Sequence, residues 1–205
     1  MSIAIRDVRE HELDSVLALN NAAGPAILPL DVARLRRFHA DAEYFRIAER
    51  DGMLAGFLVG FGSASNHDSS NFRWFRERHP EFFYIDRIVV ASRRRGGGVG
   101  RALYADVQSH AELRHPLLAC EVFLDAGSDP ALLFHGSFGF QEIGQHVMPA
   151  DGDASGPRAS MQLKELCSYP WVRETYGGRL PDAPWAGIPR VTADAEAPRP
   201  TGTCR

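Results

Sequence analysis

No apolar run in this chain of 205 residues is long enough to cross a bilayer, so a membrane-spanning helix is not expected. An apolar leader is missing too: Arg6, Asp7, Arg9 and Glu10 fall where a secretory signal needs its hydrophobic core. Cysteine is scarce. Cys120, Cys167 and Cys204 are odd in number and lack metal-ligand spacing, which argues against a bound metal and favours a reducing, cytoplasmic setting. Positive charge is not in excess, because 23 Lys and Arg face 26 Asp and Glu for a net charge of −3. That excludes a general polyanion binder; nucleic acid is not an expected partner, and any basic site has to be local. His39, His67 and His110 have no metal-like spacing and read as surface residues. Internal repeats are also absent.

What is present suits one α/β domain. Apolar residues make up 44% and charged residues 24%, an ordinary balance for a globular core of this size. Ile3 to Arg6 alternates as a short strand, and Leu13, Val16, Leu17 and Asn20 recur at helical spacing. A second helix follows Asp31, a suitable N-cap, with Val32, Leu35 and Phe38 on one face. Tyr44 to Ala48 and Leu54 to Val59 flank Asp51-Gly52, a hairpin signal. A polar segment studded with aromatics, Ser63 to Pro80, interrupts the pattern before the strongest strand candidate, Phe82 to Val90. Val99, Ala102, Leu103, Val107 and Ala111 then predict an amphipathic helix, and Leu117 to Phe123 an apolar strand with Cys120 as a small core residue. Ser128-Asp129-Pro130 starts a short helix, and Glu142 to Val147 with Ala159 to Leu166 read as a closing hairpin. The domain is expected over residues 1–167. Residues 168–205 hold six of the chain's 13 prolines and read as an extended tail, either a strap docking on its own domain or on a second subunit of a homodimer, or a disordered extension.

The run Arg93-Arg94-Arg95-Gly96-Gly97-Gly98-Val99-Gly100-Arg101 joins a strand to a helix. The first N–H groups of a helix have no intrahelical partners, and glycine lets an anion approach them without an intervening Cβ. Flanking arginines add charge and forked donors. A Walker A loop needs Gly-Lys-Ser/Thr where this chain has Gly100-Arg101-Ala102, and a dinucleotide fingerprint needs a small residue where it has Leu103. The spacing present is Arg-x-x-Gly-x-Gly, from Arg95, Gly98 and Gly100.

That spacing resembles the pyrophosphate motif of the GNAT superfamily of acyl-CoA-dependent N-acyltransferases, with Ser92 where the family often has proline. Tyr84 to Val90 is similar to the family's fourth strand. The run from Ser128 to Phe140 resembles its later helix, commonly Asn-Pro-x-x-x-x-Phe-Tyr-x-x-x-Gly-Phe. Asn71-Phe72-Arg73-Trp74-Phe75 followed by Tyr84 to Ile88 resembles a bacterial branch of predicted acetyltransferases. The resemblance implies a mixed, twisted sheet with helices on both faces and splayed central parallel strands. It also implies acetyl-CoA as the acyl donor. Arg95, Gly96, Gly97, Gly98, Val99, Gly100 and Arg101 then fall at the pyrophosphate, and the backbone of Ile88, Val89 and Val90 at the pantetheine arm.

Asp86 matches a strand position where many members carry a carboxylate, which implies a proton acceptor; read as a residue alone, it equally pairs with Arg87 and steadies the strand. His135 stands where the family's tyrosine protonates the departing thiolate, close also to the cofactor; its other reading is a helix-end histidine favoured by the dipole. Ser128 either contacts pantetheine or caps a helix. Asn21, Phe72 and Trp74 are the candidate substrate wall, with loop-anchoring packing as the other reading of the aromatics. The expected activity is transfer of an acetyl group to a primary amine of a small molecule. The alternatives are a protein, peptide or aminoacyl-tRNA acceptor, or a non-catalytic acyl-CoA sensor.

Overall fold

Alternating apolar residues and one tight turn build the first half of the sheet. Strand β1 (Ile3–Asp7) pairs with β2 (Tyr44–Arg50), and β2 pairs with β3 (Met53–Gly62), each antiparallel. Between β2 and β3, Asp51 at φ 55° and Gly52 at φ 74° both take the left-handed conformation that a two-residue hairpin turn demands. The computed structural model describes residues 2–24, 27–124, 129–149 and 156–177. Strands β4 (Phe83–Val90), β5 (Leu117–Phe123), β6 (Gln141–Val147) and β7 (Arg158–Glu165) complete a seven-stranded mixed sheet in the order β1-β2-β3-β4-β5-β7-β6.

Helices cover both faces. On one lie α1 (Leu13–Asn21), α2 (Val32–Asp41) and α3 (Ser70–Arg76), packing Val16, Leu35, Phe38, Phe72 and Phe75 against Phe45, Phe57, Tyr84 and Val89 of the sheet. Asp31 caps α2 as expected, its carboxylate accepting from Arg34 N at 2.7 Å. The opposite face carries α4 (Val99–Glu112) and α5 (Asp129–Gly136), with Val99, Leu103, Tyr104 and Val107 against Leu58, Ile85 and Cys120. The segment from Ser63 to Pro80 is more ordered than its polarity suggests: Ser69 caps α3, accepting from Phe72 N at 3.3 Å, and Phe72 and Phe75 are core residues.

One pairing positions everything that follows. Strands β4 and β5 are parallel, and their register covers only Phe83 with Leu118, Tyr84 with Ala119, and Ile85 with Cys120. Beyond that rung β4 continues along β3 to Val90, while β5 continues along β7 to Phe123. The β3–β4 register jumps at the same place: Val59 faces Arg87 and Gly60 faces Ile85, which leaves Asp86 as an extra residue on β4. Such a bulge bends its strand and sharpens the twist, so β4 turns away from β5 and a fork opens between them.

After β7 the chain does not run extended. Residues Tyr169–Tyr176 form helix α6, with Pro170 in the first turn and Gly177 closing it at φ 58°. Proline costs nothing there because its missing N–H lies where helix donors are unpaired, and glycine is the residue suited to the left-handed cap. Tyr169 packs against the α4 face and Val172 is buried, whereas Trp171 stays 60% exposed. The remainder of the expected strap, residues 178–205 with Pro184, Trp185 and Cys204, lies outside the described residues. Truncation after Cys167 should leave a folded core with a lower melting temperature, since burial of two such side chains contributes about 2–4 kcal/mol. An unchanged melting temperature would show that α6 adds nothing to the fold.

Candidate active site

The fork exposes two strand edges that no ladder covers. Among the described residues, the β5-facing edge of β4 from Asp86 to Val90 and the β4-facing edge of β5 from Glu121 to Phe123 have no strand partners. Backbone donors and acceptors left open this way suit an extended ligand. Ile88, Val89 and Val90, the expected pantetheine contacts, lie on the first of these edges.

The glycine junction follows directly. Ser92–Arg94 make one 3-10 turn, and Gly96 and Gly98 take φ 74° and 83°. Gly98 is the N-cap of α4 in the left-handed region, where an L side chain is strained. The first bond of α4 runs from Ala102 N to Gly98 O at 3.0 Å, so the N–H groups of Gly98, Val99, Gly100 and Arg101 precede the ladder and remain its unpaired donors. Gly98 is exposed, and so are Arg93 and Arg95. A Cβ on Gly100 would lie 3.2 Å from the Phe134 ring, so glycine there lets α5 close onto α4. The cradle fits a pyrophosphate: helix-end donors outside the ladder, an exposed glycine at the cap, and cations at the rim.

On the first face of the sheet, at the root of the fork, sits a carboxylate that the sequence reading passed over. Glu121 Oε2 accepts from the Tyr84 hydroxyl at 2.6 Å, and Oε1 accepts from Asn71 Nδ2 at 3.0 Å. It keeps some solvent contact although protein surrounds it, as at the floor of an open cleft. Burial raises its pKa most, the neighbouring negative charge of Asp86 adds to this, and the two hydrogen bonds offset part; the outcome is about 7. A carboxyl poised there is half ionised at neutral pH, the condition for accepting and releasing a proton. Burial and the Glu121 charge push the Tyr84 phenol well up, so it stays a donor. The available signal was a lone carboxylate inside the apolar run Leu117 to Phe123.

The geometry now has a fork, an anion cradle and a poised carboxyl, and the acetyltransferase (GNAT) family model matches residues 10–140, well over half of the chain. The chain belongs to the GNAT acetyltransferase family. It is a GNAT-type N-acetyltransferase, and the family's donor is acetyl-CoA. The solved ribosomal-protein-alanine N-acetyltransferase of Brucella melitensis is 26% identical, with 80% of this chain covering 99% of that one at a TM-score of 0.59. Ard1 of Thermoplasma volcanium is 21% identical, over 81% and 99% of the two chains, at a TM-score of 0.64. An N-acetyltransferase of Staphylococcus aureus shares the fold at 16% identity, over 81% and 99%, with a TM-score of 0.58. No curated protein matches the chain.

In this GNAT fold Asp86 is engaged on both oxygens. Oδ2 accepts from Arg87 Nε at 2.6 Å, and Oδ1 lies 2.8 Å from His67 Nε2. The two groups are in close contact, but Nε2 makes no aligned hydrogen bond among the described residues. Burial opposes the Asp86 charge, but Arg87 and His67 outweigh it and hold the carboxyl far below the usual range, which makes it a weak proton acceptor. His67, expected at the surface, is buried and stacked on Phe61 at 4.3 Å. Its place is set by the bulge, which turns Asp86 and Arg87 toward the same face. His110 is no free surface residue either, since its Nε2 lies 3.1 Å from Glu43.

Arg87 carries the network onward. Its Nη1 donates to Asn20 Oδ1 at 2.8 Å and to Leu28 O at 3.1 Å. Asn21 donates to Leu30 O and accepts from Leu30 N, closing the connection between α1 and α2. Asp86→Asn should therefore lower stability by about 3 kcal/mol at pH 7, the usual cost of leaving a buried charge unpaired. Because the folded pKa of Asp86 is depressed, its contribution is present above the unfolded carboxyl's value and fades as pH falls below ~4. The gap in melting temperature between wild type and variant should narrow from pH 7 to pH 3; equal melting temperatures at pH 7 would contradict the clamp.

His135 lies on the other face, buried against Tyr104 and Phe140. Burial lowers its pKa to about 4, so the imidazole is neutral at pH 7 and is not a cationic acid. Its Nδ1 is 2.6 Å from the Tyr104 hydroxyl and 3.4 Å from Cys120 Sγ. Cys120 and Glu121 are consecutive on β5, so His135 and Glu121 stand on opposite sides of the fork root.

The expected substrate residues fall in three different places. Phe72 is wholly buried in the core, one residue beyond Asn71. Trp74 is partly buried, beneath the Arg78 guanidinium at 4.1 Å, and approaches Gly144 of β6. Asn21 fastens the α1–α2 connection. Ser128 lies outside the described residues. Among the described residues no helix is long and apolar enough to cross a membrane.

Proposed function

We propose that the protein transfers the acetyl group of acetyl-CoA directly to a primary amine that reaches the fork from the Glu121 side. The observation that carries this reading is the Glu121 carboxyl, poised near neutrality at the point where β4 and β5 part. Bound acetyl-CoA supplies an activated thioester; the chain's own residues manage protons and charge. The unpaired donors of Gly98 to Arg101, with Arg95 at the rim, hold the pyrophosphate, and the open edge from Ile88 to Val90 holds the pantetheine arm. Glu121 takes one proton from the incoming ammonium. Asn71 Oδ1, buried beside it without a hydrogen-bond partner among the described residues, accepts a second N–H and orients the nitrogen. The C–N bond forms as the C–S bond breaks, one of the two protons left on the nitrogen passes to the thiolate while the other stays on the amide product, and neutral His135 steadies the sulfur with an N–H hydrogen bond. Asp86 moves no proton; its charge raises the pKa of Glu121 and its ion pair fixes the α1–α2 connection.

The acceptor is read as a small-molecule amine. A protein or peptide α-amine is the second reading, favoured by the likeness to the Brucella protein at 26% identity. Thiol release from acetyl-CoA, screened against amino acids, polyamines, aminoglycosides and peptides with free N-termini, decides between them. Release with peptides alone would overturn the small-molecule reading, and release with none would leave a non-catalytic acyl-CoA binder.

A further inference from the structure

We propose that Tyr104 is a positioning residue that holds His135 in the tautomer protonated on Nε2, so that an N–H rather than a lone pair is presented to the departing sulfur. The inference rests on the function proposed above. Two groups meet His135 Nδ1, the Tyr104 hydroxyl at 2.6 Å from α4 and Cys120 Sγ at 3.4 Å from β5. Among the described residues Phe134 and Phe140 also border the ring, and both are apolar. Phenol is a strong donor and a weak acceptor, neutral imidazole nitrogen is a strong acceptor, and 2.6 Å is a close contact at the short end of hydrogen-bond separations. A thiol at 3.4 Å competes poorly. Burial and the nearby Cys120 and Glu121 hold the Tyr104 phenol well above its usual range, so its proton remains available to donate. With Nδ1 accepting, a neutral ring has its single proton on Nε2. The sequence motif alone puts a histidine where a tyrosine hydroxyl is usual. The structure adds a tyrosine behind it that restores a fixed donor, with no proton leaving Tyr104 in the step.

The test is Tyr104→Phe, which removes one oxygen from a buried ring and leaves its packing. In the wild-type protein, 15N NMR of labelled histidine should show His135 protonated on Nε2 at pH 7. In the variant that signal should move toward the Nδ1–H form, with kcat falling about tenfold and KM for both substrates within about twofold, the size expected for one misdirected hydrogen bond. Cys120→Ala should keep the wild-type tautomer and turnover. A wild-type ring protonated on Nδ1, or a Tyr104→Phe protein with wild-type kcat, overturns the inference. If the wild type acetylated no amine in the screen, the proposed function would fail, and the NMR result would still decide whether Tyr104 sets the tautomer.

Discussion

Glu121→Gln should lower kcat by about 10²–10³-fold and leave acetyl-CoA affinity unchanged. Glutamine keeps the shape of the side chain and can still accept one of the two hydrogen bonds from Tyr84 and Asn71, but its NH2 group cannot accept the other and it cannot take a proton. The acid limb of the wild-type profile, rising with an apparent pKa near 7, should vanish with it. A second consequence has the opposite sign. The folded pKa of Glu121 lies above that of an unfolded carboxyl, so ionising it costs stability once pH exceeds the unfolded value, and the full cost is present above pH 7. The glutamine variant should therefore melt higher than wild type at pH 8 while turning over far more slowly. Wild-type kcat in Glu121→Gln would remove the base from the mechanism.

Gly98→Val should abolish most acetyl-CoA binding, with affinity down at least about tenfold by calorimetry, the order of one or two lost charge-assisted hydrogen bonds. The residue caps α4 at φ 83°, so valine strains the turn and shifts the donors of Gly98 to Arg101 from their common direction. Strain alone is controlled by Gly52→Val in the β2–β3 hairpin, where φ is 74° and a Cβ meets nothing within 4 Å. Both variants should lose about 1–3 kcal/mol of stability. Only Gly98→Val should lose the ligand. Equal affinity in the two folded variants would mean that the junction does not hold the pyrophosphate.

Local features were legible in the sequence wherever one segment determines its own structure. The Asp51-Gly52 turn and the Asp31 cap each follow from backbone chemistry within a few residues, and the Arg95–Gly98–Gly100 spacing carried the family resemblance from which the mixed sheet was expected. Features that depend on a partner strand were not legible in this way. The bulge at Asp86 is visible only as a register jump against Val59 and Gly60, and period-two alternation puts Asp86 and Arg87 on opposite faces. The Asp86–Arg87 pair was one of two readings open in the sequence, but the bulge that forms it, and with it the burial of His67, was not. Glu121 was overlooked because its importance comes from where β4 leaves β5, not from its own neighbours in the chain. Helix α6 was hidden by composition: proline and aromatics suggested an extended strap, while Pro170 in a first turn and Gly177 at a cap are also helix punctuation.

The mechanism requires that the fork root hold a carboxyl poised for proton transfer near neutral pH. Titration of the Glu121 side-chain carbon by 13C NMR in the resting protein, with Glu121→Gln identifying the signal, measures this directly. The account predicts a midpoint near 7. A midpoint in the ordinary glutamate range, about 4.3, would contradict it.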